Sequence, residues 1–149
     1  MTESLLSAHH SAHGATLAGD GIPLHYGDRL REYQAALTTG VIMDRSHEGR
    51  LRLIGRDRLA IPHRISTNAV ESLTPGSAAP TLFTSPIARI LDRVTLAALD
   101  DHALMLTEPG RAPAVSAYLR RNIFFNDDLH ITDETATSRQ FVLFGGAAS

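Results

Sequence analysis

Apolar and polar positions along this chain alternate between two periods, and the changes of period mark its elements. Over residues 29–37, Leu30, Tyr33 and Leu37 recur at spacings of three and four, the signature of one helix face. Asp28 is placed to cap a helix over Arg29–Leu37, and Gly40 to end it. A helix is also expected near Glu3–His10. Another is expected over Ala112–Arg121, with Val115, Tyr118 and Leu119 on its inner face. Arg56–Arg64 has helix composition with Leu59 and His63 on one side, but Pro62 makes that helix short or kinked.

The second period is two. Val41–Met43 reads as a short strand, and Leu51–Ile54 pairs with it or follows it. Pro80–Thr84, Ala88–Leu99 and Ala103–Thr107 form a strand series, broken by turns at Ser85-Pro86 and Asp100-Asp101-His102. Pro75-Gly76 and Pro109-Gly110 punctuate the chain on either side. Phe124-Phe125 is expected as a buried corner, and Leu129–Thr132 and Gln140–Phe144 as two last strands. Hairpins with scattered helices predict an α+β fold, mainly antiparallel, with residues 1–149 forming one domain. Phe144-Gly145-Gly146-Ala147-Ala148-Ser149 reads as a strand end followed by the opening of a helix, which suggests a truncated or frayed end.

Composition narrows the function classes. The chain has 149 residues, a formal net charge of −2 and no cysteine. That balance gives no bulk field toward nucleic acid or an anionic membrane, and no apolar run reaches bilayer length. The absence of cysteine excludes a disulfide framework and a thiolate metal site, and fits a cytoplasmic location. All 14 basic residues are arginine, so a Schiff-base lysine and a P-loop lysine are both excluded. No Gly-x-Ser-x-Gly elbow occurs. Among the eight histidines, His9, His10 and His13 cluster at helical spacing, but no recognised metal motif follows them. No catalytic and no metal-binding residue is assigned.

The strongest candidate chemistry lies in Ala88-Arg89-Ile90-Leu91-Asp92-Arg93-Val94. Strand alternation sends Ile90, Asp92 and Val94 to one face and Arg89, Leu91 and Arg93 to the other. Charges inside an apolar strand are costly unless they are paired or face a cavity. A carboxylate beside a guanidinium suits a polar heterocycle, and an edge-strand ion pair is the plainer explanation. Thr67-Asn68 is a second candidate, although both side chains suit a local backbone role first.

Strand, glycine turn, short helix and Thr-Asn terminus, in that order over Ser46–Asn68, resemble the folate-binding family of the glycine-cleavage T-protein (aminomethyltransferase) and its YgfZ-like relatives. The resemblance continues along the chain. It takes in Pro23–Asp28, Glu32-Tyr33 with Gly40-Val41, the Asp-x-Ser-His-x-Gly segment Asp44–Gly49, and Gly55-Arg56-Asp57-Arg58. It also takes in Leu73–Gly76, the ligand strand Arg89–Asp92, and Asp133-Glu134-Thr135. Ala69 replaces the aspartate of the family's Thr-Asn-Asp, and Ile87-Ala88 replaces its small pair.

The resemblance implies tetrahydrofolate, or a one-carbon derivative, as the ligand, with Asn68, Arg89, Asp92, Arg93 and Glu108 against it. In the T-protein the ligand strand carries two adjacent aspartates; Asp92 matches the first, and Arg93 stands where the second would be. Glu108 stands where the T-protein has an asparagine. These departures favour the YgfZ-like branch, whose members bind folate and support iron–sulfur cluster assembly, with iron–sulfur enzymes as partners. The alternative is an aminomethyltransferase of glycine cleavage or a related folate-dependent demethylating enzyme.

Overall fold

The computed structural model describes residues 5–146. Its chain divides into two compact units, Met1–His47 with Arg139–Ser149, and Glu48–Ser138.

The first unit holds helix α1 (Leu5–Ala12), strands β1 (Thr16–Leu17) and β2 (Pro23–His25), helix α2 (Arg29–Thr38) and strand β3 (Val41–Asp44). Its last element is the final strand of the chain, Phe141–Phe144. Helix α2 starts where expected because the Asp28 carboxylate accepts from the Arg31 amide at 3.0 Å. It ends as the Thr39 and Gly40 amides both turn back to the Ala35 carbonyl. Leu30, Tyr33 and Leu37 do share a face, but that face is exposed. The expected strand Val41–Met43 pairs antiparallel with Phe141–Phe144, not with Leu51–Ile54. Of the terminal expectations, Glu3 and residues 147–149 lie outside the described residues.

The second unit is built on one antiparallel sheet. Its strands are β4 (Gly49–Ile54), β5 (Ala78–Thr84), β6 (Ile90–Ala98), β7 (Ala103–Thr107) and β8 (His130–Asp133). The spatial order is β5-β6-β7-β4-β8, and the final strand of the first unit is β9. Two short helices complete the unit, α3 (Ala60–Ile65) and α4 (Ala112–Arg121). The fold is thus α+β and mainly antiparallel, as the alternation implied.

One face of this sheet makes the core. Leu51, Leu53, Phe83, Val94, Leu96, Met105 and Ile131 point to it and are buried. Ile61 from α3 and Val115 and Leu119 from α4 cover them, and the Tyr118 ring lies 5.1 Å from that of Phe83. Each such side chain contributes about 1.5–3 kcal/mol on burial. Pro62 is tolerated because it sits in the first turn of α3, where its missing N–H has no helical acceptor.

One expectation fails, and one buried charge was not foreseen. Phe124 and Phe125 are exposed, because the segment after α4 turns outward and Asp127 accepts from the Phe124 amide at 2.8 Å. Arg50, which precedes Leu51 on β4, is 2% exposed. Its guanidinium donates to the carbonyls of Glu48, Thr135 and Ser138 and to Ser138 Oγ, which turns a buried cation into the anchor of the segment after β8.

Candidate functional site

The candidate residues gather around the outer half of β6. The hairpin between β5 and β6 closes tightly: the Ser85 amide donates to the Arg89 carbonyl, and Ala88 adopts φ 59°, a left-handed conformation rare for alanine. The register then shifts, with Phe83 opposite Asp92 but Thr84 opposite Ile90, so Leu91 is an extra residue. This bulge breaks the expected alternation. Ile90 and Leu91 are both exposed, whereas Ile90 was expected with Val94 on one face.

Asp92 and Arg93 do not pair with each other, as neighbours on a strand point to opposite faces. Asp92 lies opposite buried Phe83, and its carboxylate takes a two-toothed contact from Arg111, Nε to Oδ1 at 2.7 Å and Nη2 to Oδ2 at 2.9 Å. Its side chain is only 8% exposed. Arg93 lies opposite Leu82 and reaches Glu108, just past β7, through Nε at 2.9 Å and Nη2 at 2.6 Å. Both nitrogens converge on one oxygen, Oε1, and the two side chains are 66% and 42% exposed. The hydrogen bond to Glu108 holds the Arg93 guanidinium further up its alkaline range, and the bond to Asp92 does the same for Arg111.

Arg111 escaped the sequence reading, although a signal existed. It occupies the N-cap position of α4, where the helix end carries partial positive charge and a cation is unfavourable. A guanidinium at such a position calls for a carboxylate, and only the pairing of β6 with β7 shows that Asp92 supplies it.

The remaining candidates stand apart from this pair of ion pairs. Arg89 is exposed at the hairpin tip, with its amide on Ser85 Oγ at 3.1 Å. The Asn68 side chain is used locally: Nδ2 donates to the Pro80 carbonyl at 2.9 Å, and Oδ1 accepts from the Ala69 amide at 2.9 Å. Thr67 joins the same seam, its hydroxyl accepting from the Leu82 amide. The structure thus brings Arg93 and Glu108 into contact, sets Asp92 beside them on the other face, and leaves Arg89 and Asn68 flanking β5 and β6.

Other chemistry-bearing residues form structural ties. His10 is buried, with Nε2 3.0 Å from Asp44 Oδ2 and Nδ1 2.5 Å from Tyr26 Oη. Burial alone would raise the Asp44 carboxyl, but hydrogen bonds from Ser46 and His10 outweigh it and leave that group below the ordinary carboxylate range. Burial, reinforced by Asp44 and Glu32, pushes the Tyr26 phenol up. Among the described residues no group of three or more His, Cys, Asp or Glu side chains could hold a metal ion. No helix among them is long and apolar enough to cross a membrane.

Comparison with known proteins adds a family. The family model described as "GCVT N-terminal domain" matches residues 6–149. A chloroplastic protein of Arabidopsis thaliana named as a transferase is 30% identical over 135 residues, which make up 91% of this chain and 31% of that protein. A protein of Natronomonas pharaonis named as a probable aminomethyltransferase is 32% identical over 111 residues, covering 72% of this chain and 31% of its own length. The chain therefore spans about a third of the length of these curated relatives. Among solved structures, the glycine cleavage system aminomethyltransferase T from Bartonella henselae superposes with a TM-score of 0.81 at 21% identity, over 95% of this chain and 40% of that one. This last likeness is one of fold.

Proposed function

The chain belongs to the GCVT N-terminal domain family, and on that premise we propose that it forms one wall of a tetrahydrofolate-binding site in a YgfZ-like protein that supports iron–sulfur cluster assembly or repair. The observation that carries this reading is the contact between Arg93 and Glu108. Those are two positions at which the chain departs from the T-protein pattern, and the departures carry opposite charges and bond to each other. An acid placed against folate for aminomethyl transfer is replaced by a base, and the nearby amide side chain by an acid that compensates it.

The donor set fits part of the ligand. A pterin edge offers N–H donors to a carboxylate, and a glutamate tail offers carboxylates to guanidinium forks. The Arg93–Glu108 pair can meet one of these two ends, with Arg93 as the guanidinium fork or Glu108 as the acceptor, and both are exposed enough to meet a ligand. When bound, tetrahydrofolate supplies a carrier for one-carbon units. On this reading Arg93 and Glu108 bind and orient, Asp92 and Arg111 hold the strand end rigid, and none of them transfers a proton.

Titration calorimetry of the full-length protein with folinic acid tests the proposal. We expect binding that weakens at least several-fold in Arg93→Ala, and no aminomethyl transfer from a glycine-cleavage carrier. Unchanged affinity in Arg93→Ala would refute the assignment. The second reading, a folate-dependent aminomethyltransferase, is favoured by the names of relatives from Natronomonas pharaonis and Bacillus subtilis. Folate-dependent turnover of a methylamine-bearing partner would establish it instead.

A further inference from the structure

Helix α1 carries one buried side chain, His10, whose two ring nitrogens are engaged by Asp44 and Tyr26. His9 and His13 are exposed instead, and they lie one helical turn apart. Positions i and i+4 share a helix face. The turn is closed through His13, whose amide donates to the His9 carbonyl at 3.2 Å, so the spacing is helical although α1 ends at Ala12. The two imidazoles lie with centroids 4.1 Å apart and planes tilted by 35°.

The hydrogen bonding of His13 decides which of its nitrogens is open. Nδ1 lies 2.8 Å from the His9 carbonyl oxygen. A carbonyl only accepts, so Nδ1 carries the hydrogen, and the lone pair of the neutral ring sits on Nε2. A backbone carbonyl holding the far nitrogen is the arrangement that orients histidines bound to metals. No hydrogen bond among the described residues holds the His9 ring, which leaves it free to swing. Metal–nitrogen bonds of about 2.0–2.1 Å set two ligand nitrogens about 3 Å apart, a small swing for rings already in contact. The carbonyl end of a helix also carries partial negative charge, which favours a cation there.

We propose that His9 and His13 form a two-point chelate for a late first-row divalent cation, with water completing its coordination. Two imidazoles suit copper, nickel and zinc rather than magnesium or calcium, and for a given nitrogen set the divalent order places copper first. The bound ion staples the last turn of α1, whose one buried side chain is His10. His10 takes no part, since both its nitrogens are occupied. The site stands apart from the folate reading and does not depend on it.

Titration calorimetry of the untagged full-length protein with cupric, nickel and zinc salts, in a buffer that does not bind metal, tests the chelate. The variants are His9→Gln, His13→Gln and the double, with His130→Gln as the control at an exposed histidine elsewhere. Glutamine preserves helix propensity, and circular dichroism melts without metal check that each variant folds. We expect a single cupric ion, bound more tightly than nickel or zinc. Either substitution in α1 should weaken it at least about ten-fold, and the double variant scarcely further, because a chelate is lost with either arm. His130→Gln should bind like the unsubstituted protein. Saturating zinc should slow hydrogen exchange in α1 of those two proteins and not of the α1 variants. Copper binding that survives both single substitutions, or losses that simply add, means adventitious coordination by separate histidines and overturns the chelate. Failure of the unsubstituted protein to bind copper overturns it as well.

Discussion

Replacing Arg50 by methionine is expected to release the segment after β8. Methionine keeps much of the aliphatic stem but removes the donated hydrogen bonds, among them those to Glu48 O at 2.6 Å, Thr135 O at 2.6 Å, Ser138 O at 3.2 Å and Ser138 Oγ at 2.8 Å. Hydrogen bonds to charged groups contribute about 1.5–3 kcal/mol each, so a simple sum would reach about 6 kcal/mol or more. That sum overstates the loss. The Thr135 and Ser138 region lies near the surface, and its carbonyls can turn to water once the fork is gone. Removing a buried cation also relieves its own desolvation. We therefore expect a net loss of about 3 kcal/mol, or a fall in Tm of about 10 °C. Two bonds independent of the side chain should survive, from the Arg50 amide to Thr135 Oγ1 and from the Glu134 amide to the Arg50 carbonyl. Thermal melts give the magnitude. Hydrogen exchange locates it, with the Thr137 and Ser138 amides, both bonded to the Glu134 carbonyl, expected to speed up well before those of Leu51 and Leu53. A loss under about 0.5 kcal/mol, with no change in exchange at Thr137 and Ser138, would refute the idea that this guanidinium anchors the segment.

Two further outcomes follow from the same geometry. Gly55→Ala should cost roughly 3 kcal/mol in denaturant unfolding, because Gly55 sits at φ +122° and a Cβ there would lie 2.8 Å from the Asp128 carbonyl carbon. Wild-type stability in that variant would contradict the close approach. Acid should weaken the first unit: the Asp44 carboxyl lies lower in the folded chain than in the unfolded one, so its contribution is present above about pH 4 and fades as pH falls through the lowered folded value. Asp44→Asn should flatten that part of the pH–stability curve, and an unaltered acid limb would contradict it.

Much of the fold was legible in the linear pattern because it depends on neighbours in sequence. The Asp28 cap of α2, the inward face of α4, and the turn at Asp100–His102 rest on local spacing and local hydrogen bonds. The antiparallel α+β class followed from the same signals. The charged cluster of β6 was also visible, since Asp92 and Arg93 interrupt an apolar run.

The β5–β6 and β6–β7 hairpins could be read from their turns, but pairing between strands far apart in sequence was not legible, for a physical reason: such a partner is selected by packing of whole faces, which adjacent residues do not encode. Tertiary structure alone decided that β3 pairs with β9, that Leu91 bulges, and that Phe125 lies in the open. It also decided that Arg50 is buried, by supplying acceptors 85 and 88 residues away. The site follows the same division. Sequence supplied the charges, but only the β6–β7 register gave Arg93 to Glu108 and Asp92 to Arg111, because an ion pair forms where the backbone brings its two ends within reach.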